Sequence, residues 1–475
     1  MADEQVILLK QHSTGTKARQ FLLLALPLTA ISAAYFLLEM HLPMNHDVAW
    51  LLDAGSRWNA GARLYHDVIE VNPPLVFYVY RLLTLGFWTK ASFIAGTVAA
   101  MLLAAIWSAR LAGPRWGIAT LVIVISAGIT DFGQRDHLAA IVAIPYLFAF
   151  RAGRNERVLI GAWSFLGFAL KPHLMLIPVL ATIGSMLANR SWKPAISPEN
   201  IALASLSVAY AVAAWLVHPE FFTDMLPLAR LVYFAYGSSI AGFPPAVAIV
   251  ALGVFSALFG LQRRELWPVS GAVVGALLSY FLQGRFWSYH LLPALALTLF
   301  LLLLMAPRAP VRFGICLTLI GVMAEWLLLT ERRSYTNFVP TGAEVVLFLS
   351  PHVGSAYPAV IDSNVVHASH YPAMWTLPGA WSLLHNPAAT SDQRDGALKV
   401  LNDTRRIIVD DIVRYCPNPI FVDDRPRKPY FGSPFDFVAF LKSDHRFKNY
   451  LPREKRGMFR VYWRERPCPG KKVAR

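Results

Sequence analysis

Apolar residues run through the first two thirds of the chain in long stretches, and polar residues are confined to the short gaps between them. A helix that crosses a membrane needs about 20 mostly apolar residues. Eleven stretches approach that description: 21–39, 91–109, 116–130, 137–150, 158–170, 173–189, 200–217, 243–261, 266–282, 289–306 and 312–329. Several are short and need interfacial flanks or a thinned bilayer to span. The stretch 75–89 (LVFYVYRLLTLGFWT) carries Arg81 at its middle. It reads as a helix lying at the interface with its guanidinium among the headgroups.

After residue 331 the pattern changes. EVVLFLS at 344–350 reads as a buried strand, 397–414 as a helix, PIFV at 419–422 as a short strand, 435–441 as a helix and MFRVYW at 458–463 as an alternating strand. Strands alternating with helices predict a small α/β domain. The expected architecture is a multi-pass α-helical membrane protein of about 11 transmembrane helices followed by an α/β domain. Residues 1–20 form a short N-terminal tail, 21–330 the membrane domain with a large first loop at 40–90, and 331–475 the α/β domain.

Composition sharpens this division. The chain has 475 residues, 56% hydrophobic and 15% charged, against roughly 25% charged in soluble proteins. Residues 1–330 hold 37 charges, and the shorter remainder holds 36. Disorder, collagen and a disulfide scaffold are excluded. The three cysteines form no metal pattern, and one disulfide at most is open to them, Cys416 with Cys468. The Asp423-Asp424 pair reads as a strand-end turn rather than a metal site. The net charge of +15 reflects basic loops and a basic tail, and no nucleic-acid motif accompanies it.

Positive charge sets the orientation. With the N-terminus in the cytoplasm, the inner connections hold Lys10/Lys17/Arg19, Arg110/Arg115, Arg151/Arg154/Arg157, Arg190/Lys193, Arg263/Arg264 and Arg308/Arg312. The short outer ones hold single basic residues: Arg135, Lys171, Arg230 and Arg285. The first span reads as an uncleaved anchor, and the α/β domain is predicted to lie outside. This orientation also collects His41, His46, His66, His137, His173, His218 and His290 on the outer side, with most of the acids.

Ionisable groups at membrane depth are costly and mark candidate sites. In the first outer loop, Asn45-His46-Asp47 opens a helix, and either Asn45 or Asp47 suits its cap. The second outer loop packs Asp131, Arg135, Asp136 and His137 between two apolar runs. It suits a weak metal site, acceptor positioning or support of Asp47, or simply a turn in which Asp136 caps the next helix. Lys171 and His173 flank Pro172, and Arg285, Tyr289 and His290 crowd a later loop. Three loops delivering Lys, Arg and His to one face suit an anionic headgroup, with arginine offering a bidentate fork.

The motif A-x-x-L-x-x-G…R-L-Y-x-D…N-P-P-L spans Ala49, Leu52, Gly55, Arg63, Leu64, Tyr65, Asp67, Asn72, Pro73, Pro74 and Leu75. It follows the early acid Asp47 and precedes an acidic second loop, the turn Lys171-Pro172-His173, and Tyr289, His290 and Pro293. Over residues 20–330 this arrangement resembles the GT-C glycosyltransferases, multi-pass enzymes that use polyprenyl-phosphate-linked sugars. The resemblance implies an inverting transfer on the outer side of a bacterial inner membrane, to a lipid-linked or polysaccharide acceptor of the cell envelope. It makes Asp47 the general base, and Lys171, Arg285, His290, His173 and Tyr289 the donors to the lipid phosphate. Asp131, Arg135, Asp136, His137, His46 and Asp67 become sugar, acceptor or supporting residues.

The chain also departs from the family. Four residues separate Asp131 from Asp136, where a compact D-x-D or E-x-D is usual. No tightly held metal is implied, and the cofactor question narrows to a weakly bound Mg or Mn ion. The W-W-D type motif of oligosaccharyltransferases is missing, which argues against a protein-asparagine acceptor. A ligase or polymerase of lipid-linked glycans and a glycan flippase are the competing classes. Against the flippase, no internal repeat is visible and charges near mid-span are scarce.

Overall fold

In a computed structural model, residues 14–85, 89–236, 244–306 and 334–465 are described, apart from 445, 448 and 449. The chain is mostly helical. Its membrane-type part comprises α1 (Thr14–His41), α2 (His46–Asn59), α3 (Pro74–Leu82), α4 (Thr89–Ala112), α5 (Pro114–Gly128), α6 (Arg135–Phe148), α7 (Arg154–Phe168), α8 (Leu176–Asn189), α9 (Pro198–Val217), α10 (Pro244–Gly260), α11 (Trp267–Gln283) and α12 (Leu292–Met305).

Each apolar stretch predicted before residue 307 forms a helix over its described residues, but among the described residues fewer than the expected number are long enough to span. Among the described residues, five helices are long and apolar enough to cross a membrane, counting the tight turns that lead into α8, α11 and α12. A sixth appears if α1 and α2, bent by 82° at their junction, form one broken span. Helix α5 stops early between Gly113-Pro114 and Gly128. A helix of 15 residues rises only about 22 Å, short of a hydrocarbon core of about 30 Å. The predicted span 312–329, the N-terminal tail to residue 13 and Cys468 lie outside the described residues. The interfacial stretch at 75–89 contains α3, only 9 residues long. Its Arg81 stacks on Trp58 at 4.4 Å and donates to Asn59 Oδ1 at 2.6 Å.

Helix α6 is the axis of the bundle. All its residues except Leu138 are buried, as suits a helix that is apolar around most of its circumference. In contrast, α9 leaves Val208, Val212, Trp215 and Leu216 uncovered, the kind of face a lipid-exposed helix presents. The ends of the helices carry different chemistry. At the end where α7 begins, Arg110 pairs with Glu156 at 3.3 Å and Arg157 with Glu199 at 2.6 Å. At the other end lie the loops that begin α2, α6 and α8, which hold most of the candidate residues.

The second unit is α/β. It contains β1 (Val345–Leu349), β2 (Val366–His367), α13 (Thr376–His385), α14 (Ser391–Tyr415), β3 (Ile420–Asp423), α15 (Phe437–Lys442), β4 (Tyr450–Arg456) and β5 (Phe459–Arg464). The five strands run in the order β2-β1-β3-β5-β4. The first three are parallel, and β5 and β4 complete the sheet antiparallel. Phe348 of β1 stacks on Phe421 of β3 at 4.5 Å, and Phe459 of β5 packs edge-on against both. Thr390 and Gln393 form a reciprocal capping box that starts α14. Cys416, at the end of α14, is disulfide-bonded. Asp423 closes a strand-end turn by accepting from Arg425 at 2.9 Å and from Ser350 at 3.1 Å.

The α/β unit is seated on the first loop. Arg57 of α2 donates to the carbonyls of Ser369 and His367 at 2.6 and 2.9 Å. Tyr357 donates to Asp53 at 2.7 Å, and the Ile69 amide donates to the His370 carbonyl at 2.8 Å. Gly379 of α13 comes so close to the 229–233 segment that a Cβ there would sit 1.8 Å from the Val232 carbonyl oxygen. The stretch from His367 to Trp375 therefore rests on the helical part.

Candidate active site

The site begins with a cap. Asn45 Oδ1 accepts from the amides of Asp47 and Val48 at 3.0 and 3.3 Å. Asn45 is thus the residue that starts α2, and the Asp47 carboxylate is released from that duty. It turns instead toward α6. There Gln134 Nε2 donates to Asp47 Oδ2 at 2.8 Å, and Arg135 Nη2 lies 3.3 Å from the same oxygen. His46 Nε2 stands 3.6 Å from Oδ1.

These partners decide the protonation state of Asp47. Burial pushes its carboxyl up, but His46, Arg135, the Gln134 hydrogen bond and Lys171 outweigh that push. The carboxyl is held below its ordinary value and is ionised at neutral pH.

The second loop is a brace for this arrangement. Gly133 has a φ of 71°, and a Cβ there would lie 2.1 Å from the Phe93 ring, so glycine is required at the turn. Asp131 Oδ1 accepts from Asn45 Nδ2 at 2.8 Å, which links the two loops. His137 is fully buried. The Gly133 amide donates to its Nδ1 at 3.0 Å, and its Nε2 lies 2.8 Å from the Val124 carbonyl. His137 therefore holds the turn in shape, with both ring nitrogens occupied. Arg135 spreads its guanidinium between Asp47 and the side-chain oxygen of Asn72. Its buried Nε has no partner.

A cavity of about 610 Å³ opens beside these groups. Asp47, Glu70, Asp131 and Arg135 bring charge to its wall; Trp50, Tyr233, Tyr236, Trp287 and Tyr289 bring aromatic surface. Trp287 Nε1 is buried without a partner, like Arg135 Nε. Both residues line the cavity, and each carries one N–H without a protein partner. Glu70 accepts from Trp50 Nε1 at 2.9 Å and from the Val71 amide at 2.8 Å. Burial pushes its carboxyl up to about 7 despite Arg135 nearby.

The remaining candidates lie around this cavity in distinct ways. His46 and Tyr289 line it. Lys171 stands behind Tyr289, 5.1 Å from the ring centre, and pairs with the fully buried Asp136 at 2.5 Å. Burial lowers its ammonium to about 8, with Asp136 opposing. Neither Lys171 nor Asp136 lines the cavity, and Asp136 does not cap α6. His173 Nε2 and His290 Nδ1 are buried without partners in the same layer. Arg285 is gripped by the carbonyls of Tyr233 and Tyr236 and by three aromatic rings, Tyr233, Tyr236 and Trp287, at 3.9, 4.2 and 4.6 Å. Its charge supports the aromatic wall from behind. Asp67 belongs elsewhere: it closes an exposed turn by accepting from the Arg63 amide at 2.8 Å, beside His66.

The α/β unit adds residues that sequence reasoning missed. His352, Trp375 and Tyr430 line the same cavity, and the His352 ring sits 5.2 Å from that of His46. Gln134 and Glu70 are also absent from the sequence-based site, although Gln134 directly precedes Arg135 and Glu70 lies two residues before Asn72. Among the described residues, no group of three or more His, Cys, Asp or Glu is gathered to hold a metal ion. No protein-family model matches the chain, and no curated protein matches it.

Proposed function

We propose that this chain is an inverting glycosyltransferase of the GT-C type that moves a sugar from a polyprenyl-phosphate donor to an acceptor hydroxyl at the outer face of a membrane. The observation that carries this reading is one cavity holding an ionised carboxylate, Asp47, against a buried guanidinium with a spare donor, Arg135. The reading takes the N-terminus as cytoplasmic and the α/β unit as extracytoplasmic, as the distribution of basic loops implies.

The chemistry is a single displacement. The acceptor oxygen forms a bond to the anomeric carbon from the face opposite the phosphate. Its proton passes to the Asp47 carboxylate, a contribution of about 10²–10⁴-fold for such general-base help. The bond from the anomeric carbon to the phosphate oxygen breaks, and its electron pair leaves with the lipid phosphate. That group departs as a stable anion, so no acid need protonate it.

Charge growing on the phosphate needs fixed donors. Arg135 and Trp287 line the cavity, and each keeps one buried N–H, Nε and Nε1, without a partner. Lys171, His173 and His290 form the layer behind Tyr289, in which Asp136 neutralises Lys171 and the two imidazoles are further donors. Arg285 is a positioning residue that fixes Tyr233, Tyr236 and Trp287. A weak Mg or Mn ion, if one binds, would take its ligands from the cavity carboxylates, Asp131 among them, and no step depends on one.

The test uses the full chain in proteoliposomes with synthetic polyprenyl-phosphate hexoses and pentoses. Release of polyprenyl phosphate from at least one donor, faster than in protein-free vesicles, is expected. Failure to release it from any donor sinks the proposal.

A further inference from the structure

The α/β unit meets the cavity with one particular edge. In parallel sheets, ligands bind outside the carboxyl ends of the strands, where the loops diverge. Strands β2, β1 and β3 are neighbours and parallel. Every residue the α/β unit contributes to the cavity comes from a loop just after one of them. Pro351, His352 and Val353 follow β1; Pro372 and Trp375 follow β2; Tyr430 follows β3. The unit has thus docked its own ligand-binding edge over Asp47.

The chemistry of this edge differs from that of the opposite wall. Its cavity-facing residues carry no acid, lysine or arginine. They offer an indole, a phenol and an imidazole. Flat aromatic faces suit the C–H faces of a sugar ring, while a neutral imidazole has one donor and one acceptor for hydroxyls. Burial holds His352 down to about 4, with His46 adding to the effect, so the ring is uncharged at neutral pH. A charged acceptor would meet no counter-charge on this side.

The edge is also fixed in place. The Trp375 carbonyl accepts from Tyr236 OH at 3.1 Å. The Tyr430 ring lies 5.3 Å from that of Tyr236 and stacks on His352 at 6.5 Å. Tyr430 adopts a φ of 69°, as Phe286 across the cavity adopts 54°. Such conformations in bulky residues persist only where the surroundings impose them.

We infer that the α/β unit is the acceptor-binding half of the site, and that its strand-end loops hold a neutral carbohydrate with His352 reading a hydroxyl opposite Asp47. This rests on the transferase reading for what happens to the acceptor, but the binding itself does not require turnover.

The experiment is saturation-transfer NMR on the full chain in lipid nanodiscs, with a panel of methyl hexosides and pentosides at millimolar concentration. Wild-type protein should saturate at least one glycoside. His352→Ala and Tyr430→Ala should each weaken that glycoside by about fivefold to tenfold, the loss of one hydrogen bond or one stacked face. Val353→Trp, which fills the cavity from the same edge, should abolish the signal while the melting temperature is kept.

Donor turnover is measured on the same samples. If no donor is turned over but glycoside binding follows these substitutions, the transferase reading fails and the carbohydrate edge stands. If donors are turned over while glycoside binding ignores all three substitutions, the inference fails alone. A wild-type protein that saturates no glycoside overturns it as well.

Discussion

Two carboxylates stand at the same end of the bundle, each facing a cation. Asp47 pairs with Arg135 at 3.3 Å and Asp136 with Lys171 at 2.5 Å. Asp47 keeps 17% of its side chain exposed and looks into the cavity, whereas Asp136 keeps none. The Asp47 pair has an open side, so a proton and a substrate can reach it. The Asp136 pair is sealed, and its role is to neutralise Lys171 and lock the 171–173 turn against α6. On the proposed transferase function, two ion pairs of similar composition serve reactivity in one case and architecture in the other, and access to the cavity decides which.

Breaking the sealed pair should have the largest effect on stability. Lys171→Met leaves Asp136 buried and uncompensated, and should cost about 3–5 kcal/mol. The double variant Lys171→Met/Asp136→Leu should recover much of that loss. Chemical unfolding in detergent checks both; additive losses would show that the two side chains do not act as a pair. Asp47→Asn should cost far less by the same assay, because its open side is wet.

Glu70 sharpens the comparison, since it is a cavity-lining acid without a facing cation of its own. Its carboxyl titrates at about 7 in the fold and at 4.5 when unperturbed. Between those values the folded chain holds the extra proton, so stability falls as pH rises. The contribution is fully present below 4.5 and gone above about 7, on the order of 3 kcal/mol in all. Glu70→Gln keeps an acceptor for Trp50 and should flatten this slope. Melting temperatures across that pH range provide the check, and an unchanged slope would remove Glu70 as its source.

Arg285 comes next. Its cage of three rings predicts a loss of roughly 2 kcal/mol in Arg285→Gln, together with a change in tryptophan fluorescence as the Trp287 wall loosens. Unaltered melting and fluorescence would contradict its positioning role. Asp67→Asn should do least. Its pair with Arg63 lies on an exposed turn, so a change within about 1 kcal/mol and unaltered donor turnover are expected.

How far these roles could be read in the chain depended on distance along it. Apolar stretches located the helices, and strand periodicity located β1, β3 and β5, because those signals are local. Span number was overestimated, since apolarity does not reveal where a helix stops short. Asp47 was visible from its place after the first apolar run, but whether it or Asn45 caps α2 needed the fold. Asp131, Arg135 and His137 were visible as a charged loop. Their separate duties were not, because each depends on a partner from another segment. His352, Trp375 and Tyr430 carried no signal: they reach the cavity across some 300 residues of sequence, through the way one unit sits on the other.

The central claim is that Asp47, through its open side, takes the acceptor proton. The most direct measurement is single-turnover sugar transfer by wild type and Asp47→Asn, with donor affinity determined in parallel. The account predicts a rate lower by about 10²–10⁴-fold at unchanged donor affinity. Transfer at the wild-type rate in Asp47→Asn would contradict it.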